Sequence, residues 1–331
     1  MTKSATRETA DIASVVGRKN AIINGNFDIW QRGTSQTADG YGSDDRWQNG
    51  ASGSTQVASR QTFALGQTDV PNNPKYYSRT VVSSVAGVGN YAIKTHKIEG
   101  VETFSGTTAT VSFWAKADAN KNITVEFRQY FGSGGSPTGQ ITGISPTTVS
   151  LTTSWVNYKV PVAIPSIADK VLGTDGNDFL QLNLWLDAGS NFNARTNSLG
   201  QQSGTFEFSQ VQMEAGSVAT EFEPRSVGQE LALCQRYFER NVSFGVVHVI
   251  GYACNGVPFA VTKRGVPSIT YYSTENGTGT VGSLRETEVS GAAKVVHSSQ
   301  FNISGIKRIR ITSTGYTTTT MSGSFDASAE L

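Results

Sequence analysis

The chain has few of the residues that build metal or redox sites. Its 331 residues include two cysteines, Cys234 and Cys254, and three histidines, His96, His248 and His297. A disulfide framework needs more cysteines in a smaller domain, and none of the histidines has the spacing of metal ligands. We therefore expect two reduced structural thiols, no metal site and no cofactor.

Charge is also scarce, and neither sign dominates. Charged residues make up 16% of the chain, and the formal net charge is +1. This balance offers no field that would recruit nucleic acid or an anionic membrane. No apolar run approaches the length of a membrane span, and the N-terminal residues lack a stretch of signal-peptide length. The sequence predicts a protein that is made in a cytoplasm, binds no nucleic acid and does not insert into a membrane.

What the chain does contain is glycine, with 35 residues, together with abundant serine, threonine and β-forming residues. Long exposed helices usually need more Glu, Lys and Ala. Short alternating segments separated by Gly- and Asn-rich turns indicate strands, and regular strands without intervening helices indicate a sandwich or barrel. The clearest strand segments are 107–117, 122–131, 155–164, 179–188 and 204–214. We therefore predict an all-β fold.

Composition and pattern divide the chain into four segments. They are an N-terminal peptide (1–18), a main β domain (19–224), a linker helix (225–240) and a second, smaller β domain (241–331). Short strand patterns in the last segment lie at 244–251, 258–263, 267–273, 279–289, 293–299 and 307–313. The Thr- and Ser-rich tail adds a last strand and a loose end.

The N-terminal peptide has the spacing of a short helix over residues 2–17. A lone helix of this length is marginal in water, so we expect it to become ordered by docking on another protein. A disordered tail is the alternative. The residues that would make the anchoring contact are Ala5, Thr9, Ile12, Val15 and Val16.

Residues 225–240 form the one persuasive internal helix. Ser226 and Gln229 have the spacing of a capping box. Apolar residues follow a 4-3-4 spacing, which is typical of a two-heptad coiled-coil seam and would suit a trimer. Packing of this stripe on its own domain is the alternative. The seam residues are Val227, Leu231, Cys234 and Phe238.

Strand alternation separates a core face from a second face in the main domain. Leu180, Leu182, Leu184 and Leu186 point one way, and we predict that they fill the core. The residues predicted on the opposite face are Trp114, Glu126, Arg128, Tyr130, Gln181, Asn183, Trp185 and Asp187.

This second face has three interpretations. Aromatic rings pack on the C–H face of a pyranose, while carboxylates, amides and guanidinium groups bind its hydroxyls. The same residue types are enriched at protein contacts within assemblies, and single exposed aromatics also occur on plain solvent faces.

Glu126 and Asp187 would be the carboxylate pair of a glycosidase, but any acidic β protein offers such a pair. No nucleophile, zinc or phosphate-loop motif is present, so we expect no enzymatic activity.

Two stretches resemble a known group of proteins. RKNAIINGNFDIWQRGTS (18–35) with YGSDDRW (41–47), and FSQVQMEAGSVATEFEPRSVGQELALCQRYFER (208–240), resemble the opening and closing segments of the main domain of phage tail-fibre and virion-associated proteins. VSFWAKA and SWVNYKVPVAIP between them resemble strands of carbohydrate-binding-module jelly rolls. ATRETADIAS resembles the anchoring segment of some such proteins. The resemblance covers about residues 3–240.

The resemblance implies a jelly-roll sandwich with a concave ligand face, frequent trimeric assembly, and a place in a virion assembled in the host cytoplasm. It implies contact with other virion proteins through the N-terminal peptide and with a bacterial surface glycan. A capsid decoration protein or head fibre is the structural alternative. Many jelly-roll modules also hold a calcium ion, but Ser209 and Gln210 stand where aspartates are expected, so Asp28 alone does not predict that site.

Overall fold

The computed structural model describes residues 19–248, 257–272, 283–288, 293–297, 301–303, 308–311 and 319–331. These residues form two compact units. One ends at Glu230 and includes Leu331, and the other runs from Leu231 to Glu330. The predicted anchoring residues Ala5, Thr9, Ile12, Val15 and Val16 lie outside the described residues, as does Cys254. The domain boundaries stay predictions.

The first unit consists of two antiparallel sheets, with strands numbered in chain order. The first sheet has the order β1 (Ser35–Gln36), β3 (Thr55–Thr62), β4 (Tyr76–Ser83), β11 (Gly204–Ala215), β6 (Thr108–Ala117) and β9 (Val156–Ala163). The second has the order β2 (Trp47–Ser52), β5 (Tyr91–Glu99), β10 (Phe179–Ala188), β7 (Lys121–Tyr130) and β8 (Ile141–Leu151). Two short helical turns, Ser190–Phe192 and Asn193–Thr196, follow β10.

The core of this unit lies between the two sheets, as the alternation predicts. Leu180, Leu182, Leu184 and Leu186 of β10 are fully buried there, and burial of each stabilises the fold by roughly 1.5–3 kcal/mol. The inward residues of β6 and β7 join the same core, namely Val111, Phe113, Ala115, Ala117, Ile123, Val125 and Phe127. The all-β, jelly-roll sandwich prediction is confirmed.

The opening motif NGNFD (residues 24–28) connects the entry loop to β2 through the hydrogen bonds of Asn24. The Asn24 Nδ2 atom donates 2.9 Å hydrogen bonds to the carbonyl oxygens of Ile29 and Asp45. The Asn24 Oδ1 atom accepts one from the Ile29 amide at 3.0 Å, and the Trp47 indole donates to the Asn24 carbonyl at 3.1 Å. This one asparagine therefore ties the entry loop to the start of β2.

The DDRW motif places an ion pair inside the sandwich. The Lys94 Nζ atom lies 2.5 Å from an Asp44 carboxylate oxygen, and both side chains are fully buried. The ammonium also lies 5.8 Å from the Phe27 ring centroid and 5.7 Å from that of Trp47. Burial lowers the pKa of Lys94, and the charge of Asp44 opposes that shift.

The linker helix is shorter than predicted and ends before the expected seam is complete. It spans Val227–Gln235. The Gln229 amide donates to Ser226 Oγ at 3.3 Å and the Ser226 amide donates to Gln229 Oε1 at 3.2 Å, which confirms the capping box.

The trimer seam is wrong as a helical stripe. Phe238 starts β12 (Phe238–His248) instead of a second heptad. Val227 is 63% exposed, Leu231 is half-buried, and Cys234 is fully buried. Nine helical residues therefore do not present a continuous apolar stripe.

The second unit is also antiparallel. One sheet has the order β12, β19 (Thr319–Ser328), β15 (Ser283–Glu288) and β16 (Ala293–His297), and β14 (Ser268–Tyr272) pairs with β19. The other has the order β13 (Val257–Pro258), β18 (Arg308–Ile311) and β17 (Phe301–Ile303). Residues 259–263 are not a strand, contrary to the prediction. There Lys263 is fully buried and pairs with Glu239 at 2.5 Å.

Candidate functional site

The outer face of the second sheet carries a groove of about 320 Å³. Its floor is the central strand β10 with its neighbours β5 and β2 on one side. Residues 189–199, here called the wall segment, lie over β7 and β8 on the other side. The lining residues are Gln48, Gly50, Tyr91, Ile93, Thr95, Lys97, Arg128, Phe179, Gln181, Trp185, Phe192 and Arg195.

Aromatic rings stand at both ends of the groove. At one end the ring centroids of Tyr91 and Phe192 are 5.2 Å apart, and those of Trp185 and Phe192 are also 5.2 Å apart. At the other end Phe179 lies 4.8 Å from Tyr130. Phe179 and Trp185 are six residue steps apart along β10, or roughly 20 Å of extended strand. This length suits a chain-like ligand of several rings.

A buried carboxylate holds the middle of the site together. Glu126 is fully buried, and its Oε2 atom accepts hydrogen bonds from Asn183 Nδ2 at 2.5 Å and from the Trp185 indole at 3.0 Å. Arg195 donates through Nε at 2.9 Å and Nη2 at 3.1 Å, and the Gly143 amide donates at 2.6 Å. All lone pairs of Glu126 are therefore engaged by the protein, and its role is to position the groove-lining side chains.

The wall segment is hydrogen-bonded to β7 and contains a short helix that ends at a left-handed residue. The Thr196 carbonyl accepts a 2.6 Å hydrogen bond from Thr124 Oγ1 of β7. Asn197 ends the helix Asn193–Thr196 in the left-handed conformation, with φ of 50°. The segment thereby brings Phe192 and Arg195 to the groove, and the Arg195 guanidinium lies 4.9 Å from the Trp185 ring centroid.

Gly189 permits the close approach that starts this segment. Its amide donates to the Asn90 carbonyl at 2.7 Å. A Cβ atom at this position would lie 2.3 Å from the Gly87 carbonyl oxygen and 2.5 Å from that of Val88. Both contacts are with backbone, so a side chain here forces the loop at 87–88 and the wall segment apart.

Replacement of Gly189 by Ala is therefore expected to lower the free energy of unfolding by about 1–3 kcal/mol through steric overlap. Tryptophan fluorescence during urea unfolding measures it, because all five tryptophans of the chain lie between positions 30 and 185. Gly139→Ala is the matched control, since its added methyl group meets no atom within 4 Å. An equal change in both variants would contradict the steric explanation.

Three polar atoms at the groove lack hydrogen-bond partners within the described part of the chain. They are Gln181 Oε1, Thr95 Oγ1 and Arg128 Nε. Gln181 is 6% exposed and Thr95 is 5% exposed, and an unsatisfied buried polar group costs about 1–3 kcal/mol. A ligand in the groove that donates hydrogen bonds to Gln181 and Thr95 removes this cost.

The sheet brings six of the predicted face residues together. Glu126, Arg128, Tyr130, Gln181, Asn183 and Trp185 lie on the outer face of β7 and β10, as alternation predicts. The face is less exposed than expected, because Trp185 is only 2% exposed beneath Phe192. Trp185 therefore serves as a packed base of the groove, while Tyr91 and Phe192 are its partly exposed rings.

Two of the predicted residues lie elsewhere. Trp114 belongs to β6 and lies on the outer face of the first sheet, opposite Asn157 and Ser209 in register. Alternation assigns a face within one strand but does not say which sheet the strand joins. A register shift after Trp185 places Asp187 opposite the core residue Ala92.

Asp187 has a structural role at that position. Its carboxylate accepts hydrogen bonds from Ser54 Oγ at 2.6 Å, from Ser84 Oγ at 2.9 Å and from the Gln202 amide at 2.7 Å. It is fully buried, so it belongs to a hydrogen-bond network separate from that of Glu126.

Sequence reasoning missed the groove residues of β5 and of the wall segment, namely Tyr91, Thr95, Lys97, Phe192 and Arg195. Lys94 and His96 occupy inward positions of β5 and obscure its alternation. The Gly- and Asn-rich sequence between the strand segments 179–188 and 204–214 predicts only a turn, since a four-residue helix has no periodic pattern. The one available signal was Tyr91, Ile93 and Thr95 at alternate positions.

Within the described residues, no group of three or more His, Cys, Asp or Glu side chains is placed to hold a metal ion. None of the helices in those residues is long and apolar enough to cross a membrane.

Comparisons with known proteins give distant structural likenesses. No protein-family model matches the chain, and no curated protein matches it. Among solved structures, the chain is similar to the enzymatically active domain of tailspike protein 4 of bacteriophage CBA120, at 14% identity and a TM-score of 0.34. That match covers 60% of this chain and only 21% of the tailspike chain.

Two further structures are similar to nearly their full length. The CBM22-2 xylan-binding domain of Xyn10C from Paenibacillus barcinonensis is 16% identical with a TM-score of 0.33, over 55% of this chain and 99% of that one. A structure described as CBM4 is 16% identical with a TM-score of 0.32, over 58% and 98%. Identities and TM-scores at this level assign neither a ligand nor an activity to this chain.

Proposed function

We propose that the first unit binds a glycan in the groove of the second sheet, and that the protein is a structural component of a phage particle, most simply a tail-fibre or receptor-binding protein. The observation that carries glycan binding is the groove itself. It combines aromatic rings at both ends with the unpartnered oxygen atoms of Gln181 and Thr95 on its floor.

The chemistry of the lining suits a saccharide. Tyr91 and Phe192 line the groove and are partly exposed, and partly exposed Tyr130 lies beside Phe179 at the other end. The C–H faces of sugar rings pack against such rings. Sugar hydroxyl groups donate to Gln181 Oε1 and Thr95 Oγ1, which are acceptors without a donor in the described residues. The length between the two aromatic ends favours an oligosaccharide over a single sugar.

We propose that this binding is not catalytic. A glycosidase needs two carboxyl groups that reach the scissile bond, whereas Glu126 and Asp187 are fully buried in separate networks. Incubation with host polysaccharide, followed by size-exclusion chromatography, tests this point. Shortened chains would support a depolymerase.

The place in a virion rests on the resemblance of residues 18–47 and 208–240 to virion-associated proteins. We propose that the protein assembles in the host cytoplasm, attaches to other virion proteins through the N-terminal peptide and forms a homotrimer. A capsid decoration protein or head fibre is the second candidate, in which the groove face packs on a neighbouring protein. The position and copy number of the chain in a reconstructed particle separate the two.

Loss of an exposed ring should weaken glycan binding without unfolding the protein. Tyr91→Ala is expected to lower affinity about 5- to 30-fold, because the tyrosine supplies an apolar contact at one end of the groove. Binding to an array of bacterial polysaccharides and host adsorption of assembled particles are the measurements. Tyr76→Ala, a partly exposed tyrosine of the first sheet, is the control. Equal affinity of Tyr91→Ala and the unaltered protein would contradict the assignment.

A further inference from the structure

The groove carries an excess of positive charge. Among the described residues that line it there are three cations, Lys97, Arg128 and Arg195, and no carboxylate. Neutral sugars do not require three cations. The partners that each cation has within the protein therefore indicate which class of ligand the groove binds.

Two of these cations already have protein partners. Arg195 makes a two-pronged pair with Glu126. Lys97 donates a 2.5 Å hydrogen bond to the Leu331 carbonyl oxygen and lies 4.8 Å from the Phe179 ring centroid. Glu99 follows Lys97 on the same face of β5, beyond the residues that line the groove. Of the three lining cations, Arg128 is therefore the one that remains to be considered.

Arg128 lies beside two aromatic rings that contact each other. Its guanidinium carbon lies 5.4 Å from the Tyr130 ring centroid and 5.5 Å from that of Phe179. No carboxylate in the described part of the chain forms an ion pair with it, and its Nε atom is buried without a partner. Burial lowers the pKa of Arg128 and the charge of Arg195 lowers it further, while Tyr130 and the charge of Glu126 oppose the shift.

This environment favours an anion in the groove. Glu126, the carboxylate that acts on Arg128, is already paired with Arg195. A desolvated guanidinium that forms no direct ion pair is costly, and a planar guanidinium binds a carboxylate through two parallel N–H···O bonds. Gln181 lies directly opposite Arg128 in register, so its free Oε1 atom is available to a hydroxyl of the same ligand. The contacts with Tyr130 and Phe179 restrict the position of the guanidinium before the ligand arrives.

We propose that the ligand of the groove is an acidic oligosaccharide, with a sugar carboxylate paired to Arg128 and with its rings on the aromatic ends. This inference rests on the proposed function of the groove as a glycan site and names the class of glycan. The recognised feature is the carboxylate of a uronic acid or a similar acidic sugar.

The test uses the full chain and an array of bacterial polysaccharides that carry carboxylates, each paired with its carboxyl-reduced derivative, together with phosphate-bearing polysaccharides. We expect binding to at least one carboxylate-bearing member, and a loss of about 10- to 100-fold after carboxyl reduction. Affinity for the acidic form should also fall as sodium chloride rises from 50 to 500 mM, because salt screens the charge pair.

Variants locate the effect at one side chain. Arg128→Gln should reproduce the loss caused by carboxyl reduction and add little to it. Arg128→Lys should recover only part of the affinity, since an ammonium lacks the two-pronged geometry. Arg60→Gln is the matched control, because Arg60 also stacks on a tyrosine, Tyr76 at 4.4 Å, but in the first sheet. Thermal unfolding confirms that each variant is folded.

The outcomes separate this inference from the proposed function. Binding that survives carboxyl reduction and Arg128→Gln unchanged would overturn the acidic class and leave the glycan site standing. Binding to the phosphate-bearing members alone would overturn the carboxylate assignment. Absence of binding to every polysaccharide, in both forms, would overturn glycan recognition itself.

Discussion

Replacement of Asp44 by Asn is expected to lower the free energy of unfolding by about 3–5 kcal/mol, because it leaves the buried Lys94 ammonium without its counter-charge. The pair lies between the sheets, with both side chains fully buried. Asp44 also accepts hydrogen bonds from Ser43 Oγ at 2.8 Å and Ser78 Oγ at 2.9 Å. Urea unfolding followed by tryptophan fluorescence measures the loss, since Trp47 lies beside the ammonium.

The pH dependence gives a second measure of the same pair. Burial lowers the pKa of Lys94, and the Asp44 charge raises it, so Asp44→Asn lowers this pKa further. Between the lowered pKa of Lys94 in the folded variant and the ordinary lysine pKa, the unfolded chain then binds more protons than the folded one. The stability of the variant relative to the unaltered protein should therefore rise with pH on the alkaline side of neutrality.

A double variant is the control for this pair. Asp44→Leu with Lys94→Met replaces both charges by apolar groups and should recover much of the loss, as is common for buried pairs. If Asp44→Asn destabilises the protein equally with Lys94 present and with Lys94→Met, the two groups are not coupled.

The Glu126→Gln variant is expected to lose about 2–4 kcal/mol of stability and at least tenfold in glycan affinity. The glutamine amide would place N–H donors against the N–H groups of Arg195 and Gly143, and each hydrogen bond to a charged partner contributes about 1.5–3 kcal/mol. Trp185 and Arg195 would then lose their fixed positions at the groove. Urea unfolding and titration calorimetry with a bound polysaccharide measure the two effects.

Glu207→Gln separates stability from binding in this test. Glu207 is also buried, at 5% exposure, and pairs with Arg79 at 2.6 Å and Lys116 at 3.2 Å in the first sheet. It should destabilise the protein while leaving glycan affinity unchanged. If both variants weaken binding alike, the loss at Glu126 reflects general destabilisation and not the groove.

Local pattern predicted what depends on a single strand. The leucines of β10 occupy alternate core positions, and alternation alone places Gln181, Asn183 and Trp185 on the other face. The same reasoning assigned Glu126 and Arg128 to the outer face of β7, where the structure places them. The location of a strand and the face on which each side chain lies depend on side-chain chemistry within about ten residues. They can therefore be predicted from the local sequence without knowledge of the fold.

Features that depend on pairing were not predictable in this way. Trp114 joins the first sheet because β6 pairs with β9 and β11, and those partners are distant in sequence. The register shift that turns Asp187 inward is also a property of the pair β5–β10. At Phe238, strand pairing with β19 ends a pattern that would otherwise suit a helix.

The wall segment makes one side of the groove exchangeable. Phe192 and Arg195 come from eleven residues that begin at Gly189 and are tied to β7 through Thr196, whereas the floor comes from strands that also build the core. Substitutions within the wall segment alter ring contacts and charge in the groove without changing the core leucines of β10. Such a division allows the ring contacts and charge of the groove to change by diversification of one surface loop while the sandwich that carries it stays the same.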